Sequence, residues 1–109
     1  MAAAKLTAFS SEENELAELA KALGHPARIA ILRELARRQT CVCGEIVEVL
    51  PLAQSTVSQH LKELKDAGLI QGTVDGAKSC YCINWDSVRH LQELLATFLI
   101  KGKSDGSCC

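Results

Sequence analysis

Long apolar runs are missing from this sequence of 109 residues. No stretch approaches the roughly 20 apolar residues that a helix needs to span a bilayer, and residues 1–9 lack the apolar core of a secretory signal. The formal net charge is only −1, which argues against strong nonspecific binding to polyanions. With 48% hydrophobic residues, the chain is expected to be globular rather than disordered. We therefore expect a cytoplasmic protein without membrane contact, whose length suits one modest core.

Internal repeats and domain boundaries are also absent, so the hydrophobic pattern is interpreted as one continuous fold. Apolar residues at helical spacing predict five helices, at about 11–23, 26–39, 44–50, 54–67 and from 86 or 87 to 100. Alternating residues predict strands at 69–74 and 79–84, and residues 40–42 could form a further short strand. Asp75-Gly76 predicts the hairpin turn, because this pair tolerates positive φ.

Capping signals support several of these boundaries. A serine cap at Ser10-Ser11 precedes acidic residues, and Gly24 suits the end of the first helix. Pro26 is expected to open the second helix, since its missing N–H costs little there. Gly68 is expected to end the fourth helix, and Asp86 or Ser87 to cap the last one.

Two short helices around a tight turn, followed by a β-hairpin, form the winged helix-turn-helix layout. The predicted fold class is therefore mainly α, with five helices and a two- to three-stranded antiparallel wing. The first and last helices are amphipathic but are not needed for that core. A second subunit is the simplest partner for their apolar stripes. We expect residues 1–103 to form this domain and residues 104–109 to form a flexible, cysteine-containing tail.

Cysteine is abundant in this small chain. Six cysteines occur as three close pairs, Cys41/Cys43, Cys80/Cys82 and Cys108/Cys109. In a reducing cytosol such thiols are expected to stay free and to bind metal or sense redox state. The i, i+2 spacing of the first two pairs places both members on one face of a strand. Cysteine thiolates are soft ligands that suit zinc, cadmium, copper(I) and thiophilic metalloids.

Three segments together resemble one known family. Residues 21–32 (KALGHPARIAIL) resemble the signature of the ArsR/SmtB metal-sensing repressors. Residues 54–64 (QSTVSQHLKEL) with 67–70 (AGLI) are similar to the family's recognition helix and following strand, and residues 40–43 (TCVC) to its arsenic- and cadmium-responsive cysteine motif. The resemblance covers about residues 16–100. It implies a homodimeric repressor, not an enzyme, that leaves its double-stranded operator DNA when an ion binds.

The resemblance also assigns a surface that reads DNA. In a helix-turn-helix the second helix enters the major groove with its early residues at the base edges. Glutamine can pair bidentately with adenine, and lysine suits phosphate. The expected DNA-binding residues are Gln54, Ser55, Thr56, Ser58, Gln59, Lys62 and Lys78. His60 is expected to be packed or close to phosphate rather than a metal ligand.

One departure affects the register of this helix. Family members often have serine at the position of Ala53, and alanine cannot cap the helix, a loss of about 1 kcal/mol. Either Ser55 caps a helix that starts later, or the helix begins less firmly.

In winged helices the strand between the second and third helices pairs with the outer wing strand. Cys41 would then lie beside the strand that carries Cys80 and Cys82, and four thiols could converge in one subunit. Three sulfur ligands suit trivalent arsenic or antimony, and four suit zinc or cadmium. The terminal pair, Cys108 and Cys109, could supply the third ligand instead. No cofactor is expected to be needed for folding.

Departures from the family favour arsenic or antimony as the inducer. Ile46 stands where arsenic sensors often have a third cysteine, so this ligand must come from elsewhere. No cysteine precedes Cys41, which excludes the cadmium- and lead-type site shared between subunits. Val88, Leu99 and Gly102 stand where zinc sensors have ligands on and after the last helix.

Two other functions stay open. One is a thiol-redox or persulfide sensor on the same fold, in which Cys41/Cys43 or Cys80/Cys82 oxidise as pairs. The other is a thiol enzyme or metal carrier without a DNA target. The sequence offers no general base near any cysteine, and the three histidines are dispersed, which argues against an enzyme.

Overall fold

Four helices and a three-stranded sheet make up the described part of the protein, which in this computed structural model comprises residues 8–39, 41–43, 50–73 and 80–100. In chain order the elements are α1 (Ser11–Ala22), α2 (Pro26–Arg38), β1 (Val42–Cys43), α3 (Gln54–Asp66), β2 (Ile70–Thr73), β3 (Cys80–Ile83) and α4 (Trp85–Ile100). Within these residues no helix is both long enough and apolar enough to cross a membrane.

The helix boundaries follow from local hydrogen bonds. Ser10 and Glu13 form a capping box at the start of α1, with both side-chain-to-backbone bonds at 3.0 Å. Pro26 opens α2 as predicted, and the extended His25 caps it by accepting a hydrogen bond from the Ala27 N–H. Gln39 ends α2 in the left-handed conformation, with φ of 58°. The C-cap residue of α1 is Leu23 rather than Gly24. Gly24 does not have the positive φ that is typical of a glycine helix end.

The end of α3 is a Schellman motif, which reverses the chain into the wing. Gly68 has φ of +83° and donates to the Lys65 carbonyl oxygen, and Leu69 donates to the Leu64 carbonyl oxygen. Because Leu69 is fully buried, the turn is also fixed by packing. The prediction that Gly68 ends this helix is confirmed.

The sheet has the strand order β1-β3-β2, and both pairings are antiparallel. The wing itself is the β2–β3 hairpin, and β1 adds a strand along the other edge of β3, as the sequence predicts. The inner face of the sheet carries Val42, Tyr81 and Ile83, which are buried. Cys80 and Cys82 alternate with Tyr81 and Ile83 along β3. They are half-buried on the opposite side of the sheet, which we call the outer face.

Gly72 allows the two wing strands to approach each other. It has φ of +129°, and a Cβ atom at this position would lie 2.1 Å from the Cys80 carbonyl oxygen. Only glycine adopts this conformation without strain, so the hairpin depends on a residue that the sequence pattern does not distinguish from any other strand position.

A single apolar core joins the helices to the inner face of the sheet. Its most deeply buried side chains come from α2, α3, the turn after α3, β2 and β3: Ile31, Leu35, Val57, Leu64, Leu69, Ile70 and Tyr81. From α1 and α4, Leu19, Ala22, Leu91 and Leu94 are buried against this core.

Most of the predicted elements are found, with one boundary wrong. The last helix begins at Trp85 and is capped by Asn84, whose Oδ1 accepts from the Ser87 N–H at 3.3 Å, so neither Asp86 nor Ser87 is the cap. The predicted helix over 44–50 lies almost entirely outside the described residues, so four of the five predicted helices are described. The hairpin turn and the tail at 104–109 lie outside them as well, and the tail stays a prediction.

Candidate nucleic-acid interface and cysteine cluster

Helix α3 has one apolar face and one polar face. Val57, Leu61 and Leu64 recur at helical spacing and are buried in the core. The opposite edge is exposed along its first two turns and carries Gln54, Ser55, Thr56, Gln59 and Lys62, with Ser58 half-buried beside them. Six of the seven predicted DNA-binding residues therefore share one helix, five of them fully exposed. The seventh, Lys78, lies outside the described residues.

The start of α3 resolves the register. Ala53 is the N-cap residue, with φ of −67° and ψ of 151°, and its side chain makes no capping bond. The Thr56 and Val57 amides both donate to its carbonyl oxygen at 3.0 Å. The alternative of a later helix start capped by Ser55 is wrong, because Gln54 and Ser55 are already helical. Gln54, Ser55 and Thr56 therefore occupy the first turn of α3, where a helix-turn-helix contacts base edges.

Arg28 anchors α3 to both preceding helices. Its Nε donates to the Ala22 carbonyl oxygen at 2.7 Å, which satisfies a carbonyl at the end of α1. One of its terminal nitrogens lies 3.4 Å from Nδ1 of His60 on α3. The sequence pattern does not single out Arg28, but the structure shows that it links the end of α1 to α3.

His60 is packed, as expected. It is 8% exposed, and its ring centroid lies 4.4 Å from that of His25. Burial lowers the pKa of His60, and the nearby His25 and Arg28 lower it further, while Glu63 opposes them. The ring is therefore held in its neutral form near neutral pH.

Residues 21–39 carry five basic side chains and one acidic one, and this positive charge is partly neutralised within α2. Glu34 accepts hydrogen bonds from Arg37 and Arg38, which lower its pKa to about 2. These side chains form a surface network on α2. Basic residues of α2 therefore support the fold more than they extend the polar edge of α3.

The cysteines of β1 and β3 meet on the outer face of the sheet. Cys43 lies opposite Cys80 in the strand register, and Cys41, directly before β1, forms a disulfide with Cys82. The Cα atoms of Cys41 and Cys82 are 4.3 Å apart. Cys80 is disulfide-bonded as well. The predicted approach of the two cysteine pairs is therefore confirmed at the level of strand pairing.

The bonding pattern differs from two expectations. The cysteines were expected to be free thiols, and oxidation was expected within Cys41/Cys43 or within Cys80/Cys82. Instead, Cys41 bonds to Cys82 on the neighbouring strand. Residues i and i+2 of a strand are about 6.6 Å apart along it, while cross-strand neighbours lie closer and face each other.

No group of three or more His, Cys, Asp or Glu side chains within residues 8–39, 41–43, 50–73 and 80–100 is arranged to hold a metal ion. Sulfurs joined in disulfides do not act as thiolate ligands, so the described form is the oxidised state of the cysteine cluster. Cys108 and Cys109 lie outside the described residues, as does the side chain of Cys43.

A core of packed helices, an exposed polar edge on a short helix and a hairpin wing together define a winged helix-turn-helix DNA-binding protein. Residues 23–73 match the family described as a helix-turn-helix domain. The chain is 41% identical over 92 residues to the "Arsenical resistance operon repressor" of Bacillus subtilis, covering 82% of this chain and 85% of that protein. It is 42% identical over 74 residues to the "HTH-type transcriptional repressor SmtB" of Mycobacterium tuberculosis, covering 68% of this chain and 54% of that protein.

Solved structures show the same fold. An ArsR-like transcriptional regulator from Rhodococcus sp. RHA1 superposes with a TM-score of 0.69 at 22% identity, covering 84% of this chain and 86% of that one. The protein belongs to the ArsR/SmtB family of winged helix-turn-helix transcriptional repressors. Its named relatives are transcriptional repressors and regulators rather than enzymes, which confirms that part of the prediction.

Proposed function

We propose that this protein is a homodimeric repressor that reads operator DNA with α3 and leaves it when trivalent arsenic or antimony binds its reduced cysteines. The observation that carries the proposal is the exposure of Ser55, Thr56 and Gln59 on a helix whose other face is buried. In this proposal a helix over 44–50 is the first helix of the motif and crosses the DNA backbone.

The chemistry of the polar edge of α3 suits base reading. Gln59 can pair bidentately with adenine, and the hydroxyls of Ser55 and Thr56 can donate or accept. Lys62, one turn further on, suits a phosphate, and Lys78, which the sequence places beside the predicted hairpin turn, suits a phosphate or the minor groove. With a net charge of −1, each subunit makes few phosphate contacts, so affinity depends on the specific site and on pairing of two subunits.

Replacing Gln59 with alanine tests the assignment of α3. We expect specific operator binding to weaken by about 1–3 kcal/mol, measured by fluorescence anisotropy on the promoter of the protein's own operon. The matched control is Gln92→Ala, because Gln92 is an exposed glutamine on α4. Equal affinities for the two variants would show that α3 does not read the bases.

Apolar residues on α1 and α4 support a dimer. Phe98 and Leu99 on α4 are 66% and 64% exposed, and Phe9 before α1 is 56% exposed. A groove between the two helices is lined by Leu16, Leu94 and Phe98. Adjacent exposed apolar residues of this size are characteristic of a surface that a partner covers, and a second copy places two α3 helices against half-sites about 34 Å apart.

Sedimentation velocity tests the dimer. Replacing Phe98 with serine should convert the dimer to a monomer at micromolar concentration, because this side chain is mostly exposed in the single subunit and is not part of its buried core. Thr97→Ser, at an exposed neighbouring position, is the control. A wild-type protein that sediments as a monomer would contradict the proposal.

The pairing of β1 with β3 supports the ion site. Once reduced, Cys41 and Cys82 would present adjacent thiols on the outer face, with Cys80 beside them. Thiolates are the ligands that trivalent arsenic and antimony favour, and zinc or cadmium would require a fourth sulfur. The Bacillus subtilis relative is named for arsenical resistance, which supports the metalloid. Cys43 or the terminal pair, Cys108 and Cys109, would complete the site.

The ion must bind the DNA-free form more tightly, by about 1–3 kcal/mol or more, to release the operator. We expect Cys41→Ser in the reduced protein to keep operator affinity and to lose release by arsenite. The control Gln92→Ala should keep both its operator affinity and its release by arsenite. If arsenite still releases Cys41→Ser, this cysteine is not a ligand.

A further inference from the structure

The Cys41–Cys82 disulfide joins two different strands on the outer face of the sheet. Cys41 precedes β1 and is exposed, and Cys82 in β3 is half-buried. A small oxidant in solution can therefore reach the Cys41 sulfur directly. The backbone pairing of β1 with β3 keeps the partner sulfur beside it.

Building on the proposed function, we propose that Cys41 and Cys82 form a reversible disulfide that blocks metalloid binding while the repressor stays on its operator. We call this disulfide the redox lock. A peroxide is the oxidant. The Cys41 thiolate attacks the peroxide and becomes a sulfenic acid while an alcohol or water leaves. The Cys82 thiol then displaces water and the S–S bond forms. A small dithiol reverses the step by thiol–disulfide exchange and is itself oxidised.

The disulfide and the metalloid exclude each other. Each arsenic–sulfur bond forms when a thiol gives up its proton and arsenite gives up a hydroxyl group, which leave together as water. A sulfur in a disulfide has no proton to give and no thiolate charge, so oxidation removes Cys41 and Cys82 from the ligand set together. Cys80, which is also disulfide-bonded in the described form, is removed as well.

The DNA-reading edge is intact in the oxidised form. The bond lies on the outer face of the sheet, while Val42 and Tyr81 of the same strands stay buried on the inner face. Ser55 and Gln59 remain exposed on α3 with the disulfide in place. The oxidised protein is therefore expected to stay on its operator when arsenite is present. Under peroxide stress arsenite would then not release the repressor.

The first experiment tests the pairing by peptide mapping. In Cys43→Ser/Cys80→Ser, treated with hydrogen peroxide, trypsin should yield peptides 39–62 and 79–89 joined by one disulfide. The matched control is Cys43→Ser/Cys82→Ser, which leaves Cys41 with Cys80 and should give less than a tenth of the joined product. Equal yields from the two variants would overturn the assigned pair.

The second experiment uses the wild-type protein on promoter DNA, with excess peroxide removed before arsenite is added. Reduced and oxidised proteins should bind DNA within about twofold of each other, and arsenite should release only the reduced one. Bound arsenic, counted by elemental mass spectrometry, should fall at least tenfold on oxidation and return after dithiothreitol treatment and desalting. Arsenite release of the oxidised protein, or loss of DNA binding on oxidation, would overturn the redox lock. Failure of the reduced protein to bind arsenite would instead contradict the proposed function.

Discussion

A serine at position 53 should stabilise α3, because Ala53 already has the backbone geometry of a side-chain cap. Its φ and ψ are −67° and 151°, and those of Ser10, which caps α1, are −67° and 157°. Ser10 Oγ accepts from the backbone N–H three residues on, at 3.0 Å. In Ala53→Ser the equivalent donor is the Thr56 N–H, which already donates to the Ala53 carbonyl oxygen at 3.0 Å and would be shared with the new hydroxyl. The hydroxyl therefore reaches its partner without any backbone change.

The expected size of the effect follows from typical serine caps. A serine cap is worth about 1 kcal/mol over alanine, which corresponds to a rise in Tm of about 4–8 °C for a domain near 100 residues. Thermal unfolding followed by circular dichroism, at one protein concentration, measures it. Ser10→Ala is the matched control and should lower Tm by a similar amount. A fall or no change for Ala53→Ser, together with the expected loss for Ser10→Ala, would refute the cap geometry of α3.

Three further predictions concern the wing, the arginine anchor and pH. Gly72→Ala should lower the free energy of unfolding by at least about 2 kcal/mol in urea titrations, because its Cβ meets backbone. Gly68→Ala should lower the free energy of unfolding by only about 1 kcal/mol, because φ is positive there but the added Cβ would meet only Ser87 Oγ, at an ordinary contact distance of 3.8 Å. Arg28→Met should cost about 1–3 kcal/mol through its lost hydrogen bonds, measured against Arg33→Met at an exposed position of the same helix. The pKa of His60 is lowered in the folded state. The stability that neutral His60 contributes is therefore complete above pH 6.5 and is lost as pH falls towards the lowered pKa. His60→Gln should remove this pH-dependent fall in the free energy of unfolding. His90 has the opposite sign, because its bond to a glutamate raises its pKa. The stability that His90 adds over His90→Gln should be complete below pH 6.5 and should disappear as pH rises through the raised pKa.

Hydrophobic spacing predicts the helices, the wing strands and the polar edge of α3 because each depends on near neighbours in the chain. The spacing of Val57, Leu61 and Leu64 predicts which side of α3 is buried. The approach of Cys41 to β3 is also predictable, since the layout of a winged helix pairs these strands. The backbone pairing of Cys43 with Cys80 confirms it.

Two of the missed features depend on contacts between distant segments, and the third is a choice among neighbouring cap residues. Arg28 bonds to α1 and approaches α3, and no local pattern marks an arginine that does so. Gly72 is required by the carbonyl of Cys80 on the neighbouring strand, which the spacing of β2 does not show. Asn84 is a favourable cap residue, but it competes in sequence with Asp86 and Ser87, and only the folded chain shows which one starts α4.

A titration of the reduced protein on its own promoter tests the central claim most directly. Arsenite, antimonite, zinc and cadmium are added separately while fluorescence anisotropy follows the labelled DNA. We predict that the free protein binds the promoter specifically and that arsenite and antimonite release it at lower concentrations than zinc or cadmium. A protein without specific affinity for the promoter, or one that none of the four ions releases, would contradict the proposal that it is a repressor released by a metalloid.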